Sequence, residues 1–203
     1  MIHYYVLDTE TNGLNIKYHE ICEISIIRAS DRTQLTRQVR VDNIEGSSFD
    51  ALRIIKKSMS DLAKGVSKIE AITDFEKFVN EDNVTPEHRC LVGHNVIAFD
   101  RRFLCDMWEK QGKEFPFTLY LDTMHMLRAF AKKYQIIKPK MALGAACDIL
   151  QVQKVPGEHE AIADTRNCYL LWERLRNEVE VLDHIKRLPH KLDEEDPADN
   201  DAY

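Results

Sequence analysis

The sequence predicts an α/β fold in which a mixed sheet, made of an antiparallel meander and parallel strands, is flanked by helices. Two observations predict this fold. Three strand-like segments come first, with short connections between the second and the third. Helix-like and strand-like segments then alternate toward the C-terminus. A meander continued by strand–helix crossovers gives a sheet with both kinds of pairing and with helices on its faces.

The first half of the chain supplies the meander. Strands are predicted at roughly residues 3–9, 20–29 and 35–41, because β-branched and aromatic residues are frequent there and the third segment alternates with a period of two. Residues 47–68 give a mixed signal that allows only short helical turns. Apolar residues at helical spacing then predict an amphipathic helix at 69–80.

The second half supplies the crossovers. Short apolar runs predict strands at 90–93 and 118–121, and helical spacing predicts helices at 98–111, 122–134 and 141–150. The last and longest helix is expected from residue 161 to about 187. Asp122 stands just before an apolar periodic segment and is most simply interpreted as a helix N-cap. We expect one domain at 1–188, followed by an acidic, disordered tail at 189–203.

Composition describes a globular domain of ordinary size. The chain has 203 residues, of which 44% are apolar and 31% charged. Its five cysteines are odd in number and form no C-x-x-C pair, so reduced and mostly buried thiols are expected. No apolar run approaches the roughly 20 residues of a membrane helix, and the N-terminus enters a strand without a signal-peptide pattern. The expected location is cytoplasmic, with no membrane partner.

Negative charge is concentrated at the C-terminus. The net charge is −6, and the segment 189–203 holds six acids against one lysine. The rest of the chain is therefore nearly neutral. A neutral body does not indicate a protein that coats duplex nucleic acid, but it is compatible with an enzyme that grips a few nucleotides.

Two acids lie at the end of the first predicted strand, in the run DTETNGL at 8–14. Asp8 and Glu10 are two residues apart, so in a strand both side chains lie on the same face. Buried like charges repel unless a proton or a cation neutralises them, which makes the pair a candidate metal site. A solvated strand end with two surface acids is the alternative.

Two further runs carry candidate residues, HNVIAFD at 94–100 and HEAIAD at 159–164. Taken singly, Asp100 and Asp164 could serve only the helix dipole, and His159 could be a surface histidine of a loop. Taken together with Asp8 and Glu10, they make four acids at strand ends and helix starts, with no matching arginines. Such a group favours hard divalent cations, Mg²⁺ or Mn²⁺. Two ions about 4 Å apart promote in-line displacement at phosphorus, and a neutral histidine can accept the proton of the attacking water.

These three runs, in this order and spacing, resemble the motifs of the DEDDh class of 3′→5′ exonucleases. This class contains the DnaQ-like enzymes, among them polymerase proofreading subunits and RNase T. The resemblance extends from residue 4 to about residue 172. Glu160 stands where the related tyrosine-bearing class has its tyrosine, which favours the histidine class.

The resemblance implies an RNase H-like fold with a five-stranded mixed sheet and an active site with two Mg²⁺ ions, for which Mn²⁺ is a plausible substitute. Asp8 would bridge both ions, Glu10 and Asp164 would hold the ion that activates water, and Asp100 would serve the second ion. His159 would be the general base. The positions that match substrate-contacting residues of the family are Thr11, Leu14 and Asn95; Leu14 could instead be a core leucine.

The implied activity is metal-dependent hydrolysis of phosphodiester bonds at single-stranded or frayed 3′ ends of DNA or RNA, which releases nucleoside 5′-monophosphates. The alternative is a proofreading or regulatory subunit whose main role is docking to a DNA polymerase or another replication or repair protein. The sequence departs from the family at Asn12, where threonine is usual. A histidine that many members carry before their first long helix has no clear counterpart in the segment 55–59, whose Lys56 and Lys57 could contact phosphate or be solvated.

Overall fold

A six-stranded mixed sheet forms the centre of the protein in the computed structural model, which describes residues 1–157 and 159–190. The strand order is β3-β2-β1-β4-β5-β6. The β1–β2, β2–β3 and β5–β6 pairs are antiparallel, whereas β1–β4 and β4–β5 are parallel. The strands are β1 His3–Thr11, β2 Ile21–Arg28, β3 Gln34–Gln38, β4 Arg89–Gly93, β5 Leu119–Asp122 and β6 Ile185–Arg187.

Seven α-helices lie among the described residues, together with two single turns of 3₁₀-helix. The helices are α1 Phe49–Ile54, α2 Met59–Leu62, α3 Lys68–Asn80, α4 Asp100–Glu109, α5 Thr123–Lys133, α6 Leu143–Ile149 and α7 Ala161–Leu175. The 3₁₀ turns are Pro86–His88 and Val181–His184. Asp122 is the N-cap of α5, because its side chain accepts the amide of Met124. The N-cap interpretation is confirmed.

The alternation of β1 divides the core into two layers. Tyr5 and Leu7 belong to the cluster that contains side chains of α3 and α4. Val6 belongs to the cluster that contains side chains of α5 and α7. Since residues two apart share a face, Asp8 and Glu10 lie on the side of Val6 and therefore face α7.

The parallel neighbour of β1 ends before β1 does. The last register pair between the two strands is Val6 with Val92, and β4 ends one residue later at Gly93. A Cβ on Gly93 would lie 2.6 Å from the Cβ of Val96 and 3.2 Å from the carbonyl oxygen of Leu7, so glycine allows the chain to turn tightly here. The second half of β1 is thus left without a strand neighbour on this side.

The C-terminal part of the fold corrects two expectations. The sheet has six strands rather than five, and the last helix ends at Leu175 rather than near residue 187. The apolar residues that seem to prolong the helix at 3–4 residue spacing instead form a 3₁₀ turn and β6. Pairing of β6 with β5 satisfies backbone groups at the sheet edge, which local propensity cannot register.

The third strand is also shorter than the predicted 35–41, because Val39 leaves the β2–β3 ladder and bridges to Val66. All five cysteines are buried and free, as expected. Among residues 1–157 and 159–190, no helix has the length and apolar character needed to cross a bilayer. The predicted disordered tail lies, from residue 191 onward, outside the described residues.

Candidate active site

Three of the four predicted carboxylates form one group. Asp8, Glu10 and Asp164 each offer an oxygen, and these three oxygens lie within 4.8 Å of one another. β1 supplies the first two on one face, and α7, which packs across β1 and β2, supplies Asp164 from its first turn. Residues separated by more than 150 positions in the chain therefore meet at the end of a central strand.

Asp100 reaches this group from the opposite face of the sheet. It is the first residue of α4, and it is only 3% exposed. One of its oxygens, Oδ1, accepts the backbone N–H of Thr9 at 3.0 Å and the Thr9 hydroxyl at 2.7 Å. Thr9 shares the face of Leu7, where α4 packs. The approach is open because β4 has already ended at this level of β1.

Burial and mutual repulsion raise the proton affinity of these acids. Burial, followed by the charges of Asp100 and Glu10, raises the pKa of Asp8 well above its ordinary value. Burial, followed by the charge of Asp164, raises the pKa of Glu10 to about 8. Burial raises the pKa of Asp100 to about 7, although the hydrogen bonds from Thr9 act in the opposite direction. The arrangement stores electrostatic repulsion that a cation would relieve.

His159 stands at the mouth of the same site, half-buried, directly before α7. Its backbone N–H donates to Oδ2 of Asp164 at 3.0 Å, and its φ of 64° is left-handed. The residue also lines a cavity of about 320 Å³ together with Asp164. The backbone of His159 thus orients one carboxylate, and the same residue lines the cavity beside it.

The three predicted substrate contacts differ in their surroundings. Leu14 is 71% exposed and lines an open cleft of about 550 Å³, so it is not a core leucine. Lys17 and Arg102 line the same cleft. Thr11 is buried, and its hydroxyl donates to the carbonyl of Gly13 at 2.8 Å. A substrate contact at this residue would therefore involve its backbone rather than its side chain.

The backbone conformation of residue 95 explains why an asparagine stands there. Its φ of 68° is left-handed, a conformation that asparagine adopts more readily than most residues. Its backbone N–H donates to Oδ1 of Asp122 at 2.9 Å, and the amide of Ile97 donates to Oδ2 at 3.2 Å. Asp122 therefore holds the turn that delivers α4 and Asp100 to the site.

Asn12, the departure from the family pattern, is fully buried and structural. Its Oδ1 accepts the amide of Glu20 at 2.6 Å, and its Nδ2 donates to the Ser47 hydroxyl at 2.9 Å. The backbone of Ser48 in turn donates to the Asn12 carbonyl at 2.9 Å. These bonds fasten the residue after β1 to the segment that contains Ser48, which lines the Leu14 cleft.

Sequence reasoning did not identify Glu23 as a residue near the site, and it interpreted Lys57 as either a phosphate contact or a solvated lysine. Glu23 of β2 lies directly opposite Glu10 in the sheet register, and Lys57 pairs with Glu23 at 2.6 Å. The available signal was a single acid in a strand that is mostly apolar, because a buried acid requires a partner. Lys57 is therefore an ion-pair partner rather than a solvated lysine.

The donor set fits a divalent cation. Carboxylate oxygens are hard ligands of the kind that Mg²⁺ and Mn²⁺ prefer. The oxygens of Asp8, Glu10 and Asp164 converge closely enough to share an ion. The raised pKa values of Asp8 and Glu10 indicate an excess of negative charge, which a cation would balance. The assignment of individual ligands stays a prediction.

A family model described as an exonuclease matches residues 5–172. A sequence relative, the PolC-type DNA polymerase III of Staphylococcus haemolyticus, is 24% identical over 197 residues. The match covers 95% of this chain and only 13% of the polymerase. The chain thus corresponds to a small part of that relative.

Solved structures share the fold. A moderately thermophilic Exonuclease I from Methylocaldum szegediense superposes with a TM-score of 0.72 at 20% identity, covering 89% of this chain and 41% of that one. E. coli Exonuclease I in complex with a dT13 oligonucleotide gives 0.72 at 14% identity, covering 88% and 42%. Cell-death related nuclease 4 gives 0.73 at 10% identity, covering 86% and 64%.

Proposed function

The chain belongs to the RNase T family of exonucleases, the DnaQ-like 3′→5′ enzymes of the RNase H-like superfamily, and on this premise we propose its substrate and mechanism. The substrate is a single-stranded or frayed 3′ end, and the product is a nucleoside 5′-monophosphate. DNA is proposed ahead of RNA, because the relatives include a DNA polymerase and an Exonuclease I bound to a DNA oligonucleotide.

The observation that carries the proposal is the convergence of Asp8, Glu10 and Asp164, with Asp100 held beside them by Thr9. Exonucleases of this family depend on divalent metal ions. In our proposal the four acids would hold two Mg²⁺ ions: Glu10 and Asp164 would serve one, Asp100 would serve the second, and Asp8 would serve both. The bound ions would lower the pKa of the attacking water and stabilise charge on the leaving 3′ oxygen.

The remaining steps fall to side chains of the protein. The imidazole of His159 accepts the proton of the attacking water, a role suited to a histidine beside the cavity that Asp164 also lines. Leu14 packs against the last base at the edge of the cleft, and the cations Lys17 and Arg102 attract the backbone phosphates. The oxygen of the water forms a bond to phosphorus as the P–O3′ bond breaks. The water oxygen leaves in the 5′-phosphate of the released nucleotide, and the 3′ oxygen of the shortened strand takes up a proton from solvent.

Shortening of a 5′-labelled single-stranded DNA oligonucleotide in Mg²⁺ tests this proposal. We expect a ladder of products, its loss in EDTA, and no digestion of a 3′-blocked oligonucleotide. His159→Ala should lower kcat by roughly 10²- to 10⁴-fold, the usual contribution of a general base. His88→Ala is the matched control, because His88 is exposed and bonded only locally to Thr85. An undiminished rate in His159→Ala would contradict the proposed base.

A second candidate function is favoured by the polymerase relative: the chain acts as a proofreading unit docked to a replicative DNA polymerase. Gel filtration of the full chain with such a polymerase tests this idea. Co-elution, together with faster removal of a mismatched 3′ end than of a matched one, is the expected result. Separate elution would contradict docking and would favour an exonuclease that acts without the polymerase.

A further inference from the structure

Glu23 is a fifth carboxylate beside the candidate metal site. It is the cross-strand partner of Glu10 in the antiparallel β1–β2 pair. Side chains that face each other across such a pair lie on the same face of the sheet, with Cβ atoms only about 4.5–5.5 Å apart. Glu23 is buried. Two glutamates thus face each other directly, and only one of them is in the Asp8–Glu10–Asp164 group.

Lys57 forms an ion pair with Glu23. Its Nζ lies 2.6 Å from Oε2 of Glu23, and the two side chains are only 18% and 12% exposed. The backbone fixes this position, because the Lys57 N–H donates to the carbonyl of Leu52 and the next residue, Ser58, caps α2. The ammonium group is therefore delivered to Glu23 by a defined turn and not by a freely moving surface side chain.

Both members of the pair act on the ligand group. After burial, the charges of Asp164 and Glu23 raise the pKa of Glu10, whereas Lys57 lowers it. Glu23 also raises the pKa of Asp8. The ion pair is thus close enough to influence the carboxylates that would hold a cation, although neither member belongs to the Asp8–Glu10–Asp164 group.

We propose that Lys57 keeps Glu23 out of metal coordination, so that the Glu23–Lys57 pair positions Glu10 and sets the affinity of the site for divalent cations. This inference rests on the proposed metal-dependent function. With Lys57 in place, the charge of Glu23 is neutralised, and Glu10 is the ligand offered by this pair of glutamates. Without Lys57, one more negative charge and one more oxygen become available, while the positive charge that repels a cation is gone.

The sign of the effect separates this role from a merely structural one. Loss of a supporting contact would loosen the site and weaken cation binding. Loss of Lys57 should strengthen it. Loss of Glu23 alone should weaken it, because the unpaired ammonium group would then turn to Glu10 or repel the ion. Removal of both partners should restore near-normal binding, since an ion pair replaced as a whole costs little.

Mn²⁺ binding to the full chain, measured by calorimetry without substrate, tests the inference. We expect the dissociation constant of the tighter site to fall about tenfold in Lys57→Met and to rise about tenfold in Glu23→Gln, the size expected for one partly screened charge. The double variant and Lys57→Arg should stay within about threefold of the wild type. Lys56→Met is the matched control, because it removes the same charge from an exposed neighbour.

Three outcomes would overturn the inference. Weaker or unchanged binding in Lys57→Met, with wild-type binding intact, would reject it while leaving the metal-dependent exonuclease in place. A raised KM for the oligonucleotide at saturating Mn²⁺, without tighter Mn²⁺ binding, would identify Lys57 as a phosphate contact instead. Absence of Mn²⁺ binding in the wild type would reject the metal mechanism and this inference together.

Discussion

Thr9 donates two hydrogen bonds to a single oxygen of Asp100, one from its backbone at 3.0 Å and one from its hydroxyl at 2.7 Å. Thr9 lies between the two acids of β1, and Asp100 opens α4. The two hydrogen bonds to one oxygen therefore fix the position of Asp100 relative to the acids of β1. It leaves the second oxygen of Asp100 outside the contact with Thr9.

Thr9→Val should remove the hydroxyl bond while conserving shape. We expect the free energy of unfolding to fall by about 1–2 kcal/mol, because a buried carboxylate loses a donor. kcat should fall by roughly tenfold with little change in KM, since Asp100 would be less well positioned. Urea unfolding and steady-state kinetics measure both quantities. Thr9→Ser keeps the hydroxyl and should retain the wild-type kcat; an equal loss in both variants would contradict this role of the bond.

Asp8→Asn should abolish activity and yet stabilise the metal-free protein. Burial and four neighbouring acids disfavour the ionised form of Asp8, and asparagine removes that charge at constant size. We expect the Tm in EDTA to rise by roughly 2–8 °C, which corresponds to about 1–2 kcal/mol in a chain of this length. Asp50→Asn changes an exposed acid and should leave the Tm unaltered. A lower Tm in Asp8→Asn would show that the charge is compensated.

The metal-free protein should become less stable as the pH rises from 6 to 8. Burial, with the charge of Asp164, raises the pKa of Glu10 from 4.5 to about 8, and that of Asp100 is raised to about 7. Between the unfolded and folded pKa values the folded state binds more protons, so the free energy of unfolding falls with rising pH. We expect a loss of about 2 kcal/mol from Glu10 alone.

Urea titrations in EDTA at pH 6 and pH 8 measure this dependence. Glu10→Gln should flatten it, because glutamine does not titrate. Saturating Mg²⁺ should also reduce the loss, since a cation that binds the ionised carboxylates stabilises the folded state at the higher pH. Greater stability at pH 8 than at pH 6 in EDTA would refute the raised pKa values.

Leu14→Ala should impair substrate binding without affecting stability. The side chain is 71% exposed, so its loss should change the free energy of unfolding by less than about 0.5 kcal/mol. We expect KM for single-stranded DNA to rise by roughly five- to twentyfold, because the leucine lines the cleft that we propose for the substrate. Ile137→Ala removes an equally exposed apolar side chain elsewhere and serves as the control. Equal KM values in both variants would exclude a base contact at Leu14.

The local sequence pattern was sufficient to predict β1, the strand that carries Asp8 and Glu10. The period of two in β1 places Asp8 and Glu10 on one face regardless of tertiary context. The bond between Thr9 and Asp100 could not be derived in this way, because it depends on where β4 stops. The contact of Glu23 with Lys57 likewise depends on the β1–β2 register and on the α1–α2 turn, neither of which spacing along the chain encodes.

The predicted end of the last helix was wrong for a related reason. Beyond Leu175, the residues Val179, Val181 and Leu182 continue an apolar spacing that is also typical of a helix. Isolated periodicity cannot distinguish this from a segment that turns back. The open edge of β5 decides the matter, because Ile185–Arg187 completes its backbone hydrogen bonds there.

The left-handed backbone of His159 carries its observed contact with Asp164, whereas the role that we propose for the residue belongs to its side chain. Its N–H, which any amino acid other than proline supplies, holds Asp164, and only the ring could move a proton. Glycine tolerates this φ better than histidine does, so His159→Gly should keep the carboxylate in place and leave a hole shaped like the missing ring. Small azoles dissolved in the assay buffer could then enter that hole and return part of the lost turnover.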